Sequence, residues 1–343
     1  MSKLEETIQF SINKGLIWLS KNQNEDGSFG ELYPITTTAL AILAFTKHSH
    51  LLSTYPLDDT YMFYQCVDNA LKYIFENANV CECGIYFDDF GNINMPTGVV
   101  LGALSVCAYE DFIVAYNEYL PINGYTIKQL KSEILNYLQS SQNENGGWGE
   151  SNKTSDILSN NITTGYVSLG ILLEQKHGYN FPQSLIDGLE NWLASIQNTN
   201  GGAGNHSYKG DFSILSTGFL IEEMYILNYL KSNNRLKKAK QFIANNWRKP
   251  AGYSNTGWNS YPVSDYQATF ATTLGLSLFN TDYIKTSDNI CIYWNREILR
   301  SLLYQQNIDG SWSASKINFE QSDQSLSSIW AILTLEYMLS TNI

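Results

Sequence analysis

Gln142-Asn-Glu-Asn-Gly146-Gly-Trp148 belongs to a set of four phrases with one internal spacing: a Gln, a Gly four residues later, and a position two beyond it that is usually aromatic. The other copies are Gln23-Asn-Glu-Asp-Gly27-Ser-Phe29, Gln197-Asn-Thr-Asn-Gly201-Gly-Ala203 and Gln306-Asn-Ile-Asp-Gly310-Ser-Trp312. Each ends one amphipathic stretch and precedes a second stretch rich in Thr, Ala and Leu. Self-similarity at a long period means that one supersecondary unit is repeated.

On the N-terminal side of Gln142, the stretch from Ile127 carries Leu130, Ile134, Leu135, Tyr137 and Leu138, a helical stripe. Asn145-Gly146-Gly147 breaks it, because Gly accepts the left-handed conformation that closes a helix C-terminus. Beyond a polar loop, Ile162 to Leu173 is apolar nearly all round, as a helix buried on most sides must be. The unit is therefore an amphipathic outer helix, a Gly turn, a loop and a buried inner helix.

Six such units run along the chain. Outer helices are predicted near 5–22, 61–78, 126–142, 182–197, 234–247 and 291–306. Inner helices are predicted near 35–47, 96–109, 162–175, 213–230, 265–279 and 323–339. The turn glycines are Gly27, Gly84, Gly146, Gly201, Gly252 and Gly310. Units 2 and 5 lack the Gln phrase but keep the Gly and the helix pair. Small residues recur near each inner-helix start (Thr36-Thr37-Thr38, Thr97-Gly98, Thr164-Gly165, Thr217-Gly218, Ala268-Thr269, Ser327-Ser328) and let helix backbones approach closely. Twelve alternating helices predict an all-α fold, an (α/α)6 toroid forming a single domain over residues 1–343. An open solenoid would need polar capping repeats. Here unit 1 (Leu40, Ile42, Leu43, Phe45) and unit 6 (Ile329, Trp330, Ile332, Leu333) are apolar enough to bury each other.

The 343 residues are 43% hydrophobic and 13% aromatic, enough for a large core. A net charge of −12 repels phosphate backbones on average, which argues against a nucleic-acid partner. No stretch approaches 18 consecutive apolar residues, so no membrane span is expected. Met1-Ser-Lys-Leu-Glu-Glu lacks the order of a signal peptide, and Ser340-Thr-Asn-Ile343 has no prenylation Cys. With Cys66, Cys81, Cys83, Cys107 and Cys291 read as reduced thiols, the expected location is cytoplasmic. Cys81-Glu-Cys83 has no second ligand pair at metal spacing, so the two are read as thiols without a metal.

Set between alternating helices, the Gln-x-x-x-Gly-x-Trp phrase resembles the repeat of the terpenoid cyclase and protein prenyltransferase superfamily, which squalene–hopene cyclases carry as their Gln-Trp motif. The resemblance covers roughly residues 5–340. It implies a structural role for Gln23, Gln142, Gln197 and Gln306: the Gln ties off a helix end and the aromatic stacks on a neighbouring unit. The superfamily's catalytic signatures are incomplete here. The Asp-x-Asp-Asp acid of class II cyclases has its nearest counterparts in Asp265-Tyr-Gln-Ala268 and Asp323-Gln-Ser-Leu326, each keeping only the first Asp. Where protein prenyltransferases hold zinc with Asp-x-Cys, Asp265 is present but Gln267 replaces the Cys. Asp88-Asp-Phe-Gly-Asn92 lacks the third Asp of the class I diphosphate motif. No metal ligands are assigned, and magnesium enters only if the substrate is a diphosphate.

The expected pocket is the centre of the ring, with Tyr33, Tyr166, Phe219, Tyr261, Tyr266 and Phe270 as its aromatic wall. Aromatic faces stabilise cations by about 0.5–2 kcal/mol each; core packing is the plainer role for any one of them. Asp211, Asp265 and Asp323 precede inner helices 4, 5 and 6, where they suit N-caps and could also face the pocket as acids. Glu222-Glu223 stands mid-helix in Gly218-Phe-Leu-Ile-Glu-Glu-Met-Tyr-Ile-Leu227, where other inner helices place Ala, Leu, Gly or Thr. A desolvated Glu has a raised pKa and can act as a general acid; a paired, purely structural carboxylate is the alternative. His206 alone among the histidines is placed to reach the mouth of the ring.

Together these features give a terpenoid-cyclase-like protein acting on an isoprenoid or other apolar ligand by carboxylic-acid catalysis. The competing classes are a non-catalytic toroid that binds a peptide or lipid, and a carbohydrate-active toroid using paired carboxylates.

Overall fold

The computed structural model describes residues 2–151, 159–206, 211–251, 256–260, 263–314 and 323–340. Twelve α-helices follow one another: α1 (Lys3–Lys21), α2 (Pro34–Leu51), α3 (Tyr64–Glu76), α4 (Asn94–Cys107), α5 (Ile127–Ser140), α6 (Asn161–Lys176), α7 (Gln183–Ile196), α8 (Ile214–Ile226), α9 (Asn234–Asn246), α10 (Tyr266–Leu278), α11 (Trp294–Gln305) and α12 (Gln324–Ser340). The even-numbered helices are the apolar ones; every residue of α4 except Val106 is buried. Among the described residues, sheet is confined to three two-stranded hairpins: β1 (Asn79–Cys81) with β2 (Gly84–Tyr86), β3 (Asn259–Ser260) with β4 (Val263–Ser264), and β5 (Ile284–Lys285) with β6 (Cys291–Ile292). The all-α prediction and its alternation of helix pairs hold. Helix α8 stops short of the predicted 230 because Asn228 takes a left-handed φ of 57° directly after the cap Leu227.

The turn glycines explain the repeat. Gly27, Gly84, Gly146, Gly201 and Gly310 all have φ between 86° and 127°; Gly252 lies outside the described residues. At Gly146 a second constraint is added, since a Cβ there would collide with the Gly188 carbonyl of α7. The Gln four residues earlier spans the same gap. Its side-chain N–H groups donate to its own turn and to the following outer helix: Gln23 to Gly27 (2.9 Å) and Cys66 (2.9 Å), Gln142 to Gly146 (2.9 Å) and Leu185 (3.1 Å), Gln197 to Gly201 (3.2 Å) and Arg235 (3.0 Å). Gln306 donates to Gly310 (2.8 Å) and back to Ser11 of α1 (2.9 Å). A third tie runs inward. The backbone N–H at the aromatic position donates to a hydroxyl of the next inner helix: Phe29 to Thr38, Trp148 to Thr164, Ala203 to Thr217 and Trp312 to Ser328, at 2.8–3.0 Å. Phe87 to Thr97 repeats it in the unit without the Gln. The small residues at inner-helix starts thus serve as acceptors as well as spacers.

The chain forms two compact units. Residues 22–188 make one, with α2, α4 and α6 packed in sequence. Gly98 lets α4 and α6 touch: a Cβ there would lie 2.5 Å from the Val167 Cα. Lys131 of α5 is buried against Glu174 of α6 (2.8 Å), which also accepts from Ser105 of α4. Asp89 is the distant cap of α2, accepting from the Ile35 and Thr36 N–H groups at 2.9 and 2.8 Å and the Thr36 hydroxyl at 2.7 Å. His48 is buried in α2 beside Tyr61, with Nδ1 3.0 Å from the hydroxyl.

Residues 1–21 and 189–343 make the other unit, with α8, α10 and α12 packed in sequence and α1 against α12. A Cβ on Gly15 of α1 would lie 2.9 Å from Ile332 and 3.0 Å from the Trp312 ring, so the first helix is seated on the last repeat. The Trp312 indole donates to Leu302 O (2.9 Å), as Trp148 does to Leu138 O (2.8 Å) in the other unit.

Two outcomes follow. Gly146→Ala is expected to cost several kcal/mol, since it adds a backbone collision to the left-handed penalty of about 1–2 kcal/mol. Gly124→Ala, at φ 83° with nothing within 4 Å, should cost only that penalty; urea unfolding of both variants checks the difference. Burial lowers the His48 pKa from 6.5 to about 4, so the unfolded chain takes up its proton first as the pH falls. From pH 7.5 to 5 the wild type should therefore lose about 2 kcal/mol more stability than His48→Gln, and parallel stability profiles would refute the assignment.

Candidate functional site

The chemistry-bearing interior lies in the unit of residues 1–21 and 189–343. Ile214 to Ile226 folds as α8 because Ser213 caps it, its hydroxyl accepting from Ser216 N (3.1 Å), and because the segment is apolar on every face. Gly218 brings α8 against α10: a Cβ there would lie 2.6 Å from the Ala271 carbonyl carbon. Two carboxylates are carried into this contact. Glu222 and Glu223 are both fully buried. Among the described residues, neither carboxylate oxygen of Glu223 has a hydrogen-bond partner. Burial, and secondarily the adjacent Glu222, push the Glu223 carboxyl well above the ordinary range, which favours the uncharged acid.

Helix α12, on the far side of α10, adds Glu336 and Tyr337. Glu336 is fully buried. The Tyr337 hydroxyl is pushed up by burial and then by the charges of Glu222 and Glu336, so these three groups share one neighbourhood. The Tyr337 ring lies 6.2 Å from that of Phe270 on α10. The buried hydroxyls of Thr272 and Thr273, also on α10, have no hydrogen-bond partner. Three glutamates on α8 and α12, with an aromatic pair beside them, can hold and release protons in surroundings closed to water.

Sequence reading found Glu222 and Glu223 but missed Glu336 and Glu174, which also stand in inner helices. A signal was available for Glu336, a lone acid in the otherwise apolar stretch of α12, whereas Glu174 is followed by Gln175 and Lys176 at the end of α6. The comparison of inner helices at one depth overlooked them because they lie nearer the helix C-termini. Glu174 differs in kind, since its charge is met by Lys131.

The other predicted positions are scattered. Asp265 is buried and caps α10, accepting from Ala268 N at 2.9 Å. Asp323 is half-buried and caps α12, accepting from Leu326 N at 2.7 Å. Asp211 is exposed and caps nothing; Ser213 takes that role, two residues closer to α8. Tyr266 is buried, but its hydroxyl donates to Gln305 of outer helix α11 (3.0 Å), so it serves the contact between layers. Phe219 is fully buried in α8. Tyr166 is buried in α6 and half-buried Tyr33 precedes α2, both in the other unit. Tyr261 lies outside the described residues, and His206 is exposed. Among the described residues no cluster of three or more His, Cys, Asp or Glu is placed to hold a metal ion, and no helix is long and apolar enough to cross a membrane.

Residues 107–256 and 214–341 match the family described as the prenyltransferase alpha-alpha toroid domain. No curated protein sequence matches the chain. Among solved structures, a variant of the type II terpene cyclase MstE from Scytonema, in complex with geranylgeranyl dihydroxybenzoate, is similar at 13% identity and a TM-score of 0.62, covering 99% of this chain and 98% of that one. An inactive variant of an alpha-1,6-mannanase of Salegentibacter sp. HEL1_6, in complex with alpha-1,6-mannotriose, is similar at 9% identity and a TM-score of 0.62, over 97% of this chain and 99% of that one. The Lin0763 protein from Listeria innocua gives 8% identity and a TM-score of 0.63 over 98% and 97%. At these identities the likeness is one of fold.

The raised Glu223 pKa has a definite sign. The folded chain keeps this proton above pH 4.5, where the unfolded chain has begun to release it, so the group lowers stability as the pH rises. Glu223→Gln should flatten the profile, and its melting temperature should gain on the wild type as the pH rises above about 5. A constant difference over that range would show that Glu223 is ionised in the fold.

Proposed function

We propose that this chain, which belongs to the prenyltransferase alpha-alpha toroid family, acts on an isoprenoid or similarly apolar substrate by carboxylic-acid catalysis, with the acid among Glu222, Glu223 and Glu336. The observation that carries this reading is Glu223, a buried carboxyl without a hydrogen-bond partner, held toward its protonated form on an inner helix. An alkene is a weak base, and an acid that protonates it must be neutral and dry beforehand. The carboxyl proton passes to an alkene carbon and leaves a carbocation. Phe219, Phe270 and Tyr337 supply aromatic faces beside α8 to stabilise it. The substrate later returns a proton from a neighbouring carbon to the carboxylate, so substrate and product are isomers. The likeness to MstE, solved with a geranylgeranyl-bearing substrate, supports this class of ligand.

The mannanase likeness raises carbohydrate chemistry. Glycoside hydrolysis uses two carboxyl groups flanking a sugar in a wet groove; adjacent glutamates in a closed apolar interior do not suit it. A non-catalytic ligand-binding role has one specific observation in its favour: Asp265 and Asp323, the first-Asp positions of the resemblance, are engaged as helix caps.

Incubation with linear isoprenoids and their diphosphates, with and without magnesium, followed by mass spectrometry, tests the reading. The expected product is an isomer of one substrate, and at least one of Glu222→Gln, Glu223→Gln and Glu336→Gln should reduce its formation about a hundredfold or more while remaining folded. Full activity in all three variants would remove the acid from this cluster. Binding without turnover across the panel would favour the non-catalytic role, and cleavage of oligosaccharides instead would overturn the substrate class.

A further inference from the structure

The chain is acidic overall, yet residues 224–264 contain seven Lys or Arg and no Asp or Glu. They are Lys231, Arg235, Lys237, Lys238, Lys240, Arg248 and Lys249, spread over α9 and its flanks. Lys240 is pulled down to about 8, chiefly by burial and secondarily by Lys231, which precedes the helix. At the C-terminal end of α9 the segment borders an open cleft of about 660 Å³, shared with α11. The cleft lies within the unit of residues 1–21 and 189–343, away from the buried glutamates of α8 and α12, and its use does not depend on the function proposed for them.

Its lining is rich in hydrogen-bond donors. Arg248, Lys249 and Arg300 supply cations, with Ser301 and Asn259 beside them. The one acid in the lining, Glu297, is already committed: it holds Arg248 through two bonds of 2.7 and 2.8 Å and accepts from the Trp247 indole at 2.8 Å. Among the described residues, Lys249 and Arg300 make no ion pair. Nor does the buried indole N–H of Trp258, another lining residue, have an acceptor among the described residues. The frame is rigid. Gly257 N donates to Pro250 O (3.0 Å), and a Cβ on Gly257 would collide with the Lys249 carbonyl. On the other wall Gln305 donates to the Ser301 and Ser264 hydroxyls at 2.9 Å each. Tyr304, 77% exposed, provides an aromatic face at the edge.

We propose that this cleft binds the phosphate or diphosphate group of a small organic ligand, with Arg300 and Lys249 as its charged anchors. An acceptor-only anion matches a lining in which Lys249 and Arg300 are unspent and the one acid is neutralised by Arg248. A lysine and an arginine together present more N–H groups than the two oxygens of a carboxylate can take up, whereas a phosphate offers three oxygens and a diphosphate more. The volume accommodates an organic group beside the anion, with Tyr304 available to stack on it. A basic patch on an acidic protein also concentrates anions locally at this surface.

The test is calorimetric titration of the full chain with inorganic diphosphate, at constant ionic strength, with acetate as the comparison anion. One-site binding with a Kd of about 1 mM or tighter is expected. Arg300→Gln and Lys249→Gln should each weaken it about tenfold or more. Lys128→Gln, an exposed cation of the other unit, should not change it. Diphosphate should alter the tryptophan fluorescence, and Trp258→Phe should diminish that change. Circular dichroism melts establish that each variant is folded. Sedimentation with phosphatidylcholine vesicles, with and without phosphatidic acid, separates two sources of the phosphate. Arg300-dependent pelleting that diphosphate competes away assigns it to a lipid headgroup. Diphosphate binding without pelleting assigns it to a soluble ligand. No binding up to about 10 mM, equal affinity for acetate, or binding that both Gln variants leave intact overturns the proposal.

Discussion

The fold hangs on one amide with two N–H groups. Each Gln of the repeated phrase donates once to the carbonyl of its own glycine turn and once to a carbonyl of another outer helix. Glu could not replace it, because a carboxylate has no donor and would set oxygen against oxygen. Asn would be one methylene too short to span the same gap. The glycine is part of the same joint. Its left-handed backbone aims the carbonyl at the amide, and its missing Cβ admits the neighbouring helix. Helix ends leave carbonyls unsatisfied, and here that need is turned into a contact between repeats. Gln306 shows this most clearly. The helix it reaches is the first in the chain, so α1 is held by residues nearly 300 positions away, and Ser11 answers by donating to the Gln306 oxygen at 2.8 Å.

Interiors assembled from apolar helices tolerate few charges, and the acids that remain are informative. Glu174 has a lysine, a serine and a reason: it ties α4, α5 and α6 together. Breaking such a pair would leave a charge buried alone, at a cost of several kcal/mol by order of magnitude. Glu223 has no comparable arrangement. With no cation or donor at its carboxyl, the physical response is to keep its proton. An interior that holds a neutral acid is less stable than one with leucine at that position, and tolerance of that loss is usual at functional sites.

The helix pairs are legible in the sequence because the two periodicities, amphipathic outside and apolar inside, are separated by residues with a single conformational job. Gly146 and Gly310 cannot be replaced without strain, so they stand out. The Thr and Ser residues at inner-helix starts were visible as small, but not as acceptors, because the donors they meet lie nine to sixteen residues upstream in the turn. The site was far less legible. Helical spacing reports which face is apolar, not which neighbour a side chain meets. Tyr266 looked like a wall of the central pocket, and its hydroxyl reaches Gln305 in the outer layer instead. Asp211 stood near enough to α8 to suggest a cap, but Ser213 has the right register. Glu336 was hidden by depth, and its neighbour Tyr337 comes near Glu222 only once α8 and α12 are both packed on α10.

Asp265 shows why a matching position is weak evidence of a matching reaction. It stands where the resemblance puts a catalytic aspartate, and one of its oxygens is spent on the Ala268 N–H. A cap requires only an acceptor, which Asp and Asn supply almost equally well. An acid catalyst requires a proton held until the substrate arrives. Hydrogen bonds donated to a carboxylate stabilise its ionised form and work against that. The same fold can therefore keep the first Asp of a motif for its backbone while the rest of the motif disappears. What the fold retains is a set of inner helices on which a desolvated carboxyl can be placed, and in this chain Glu223 occupies such a place.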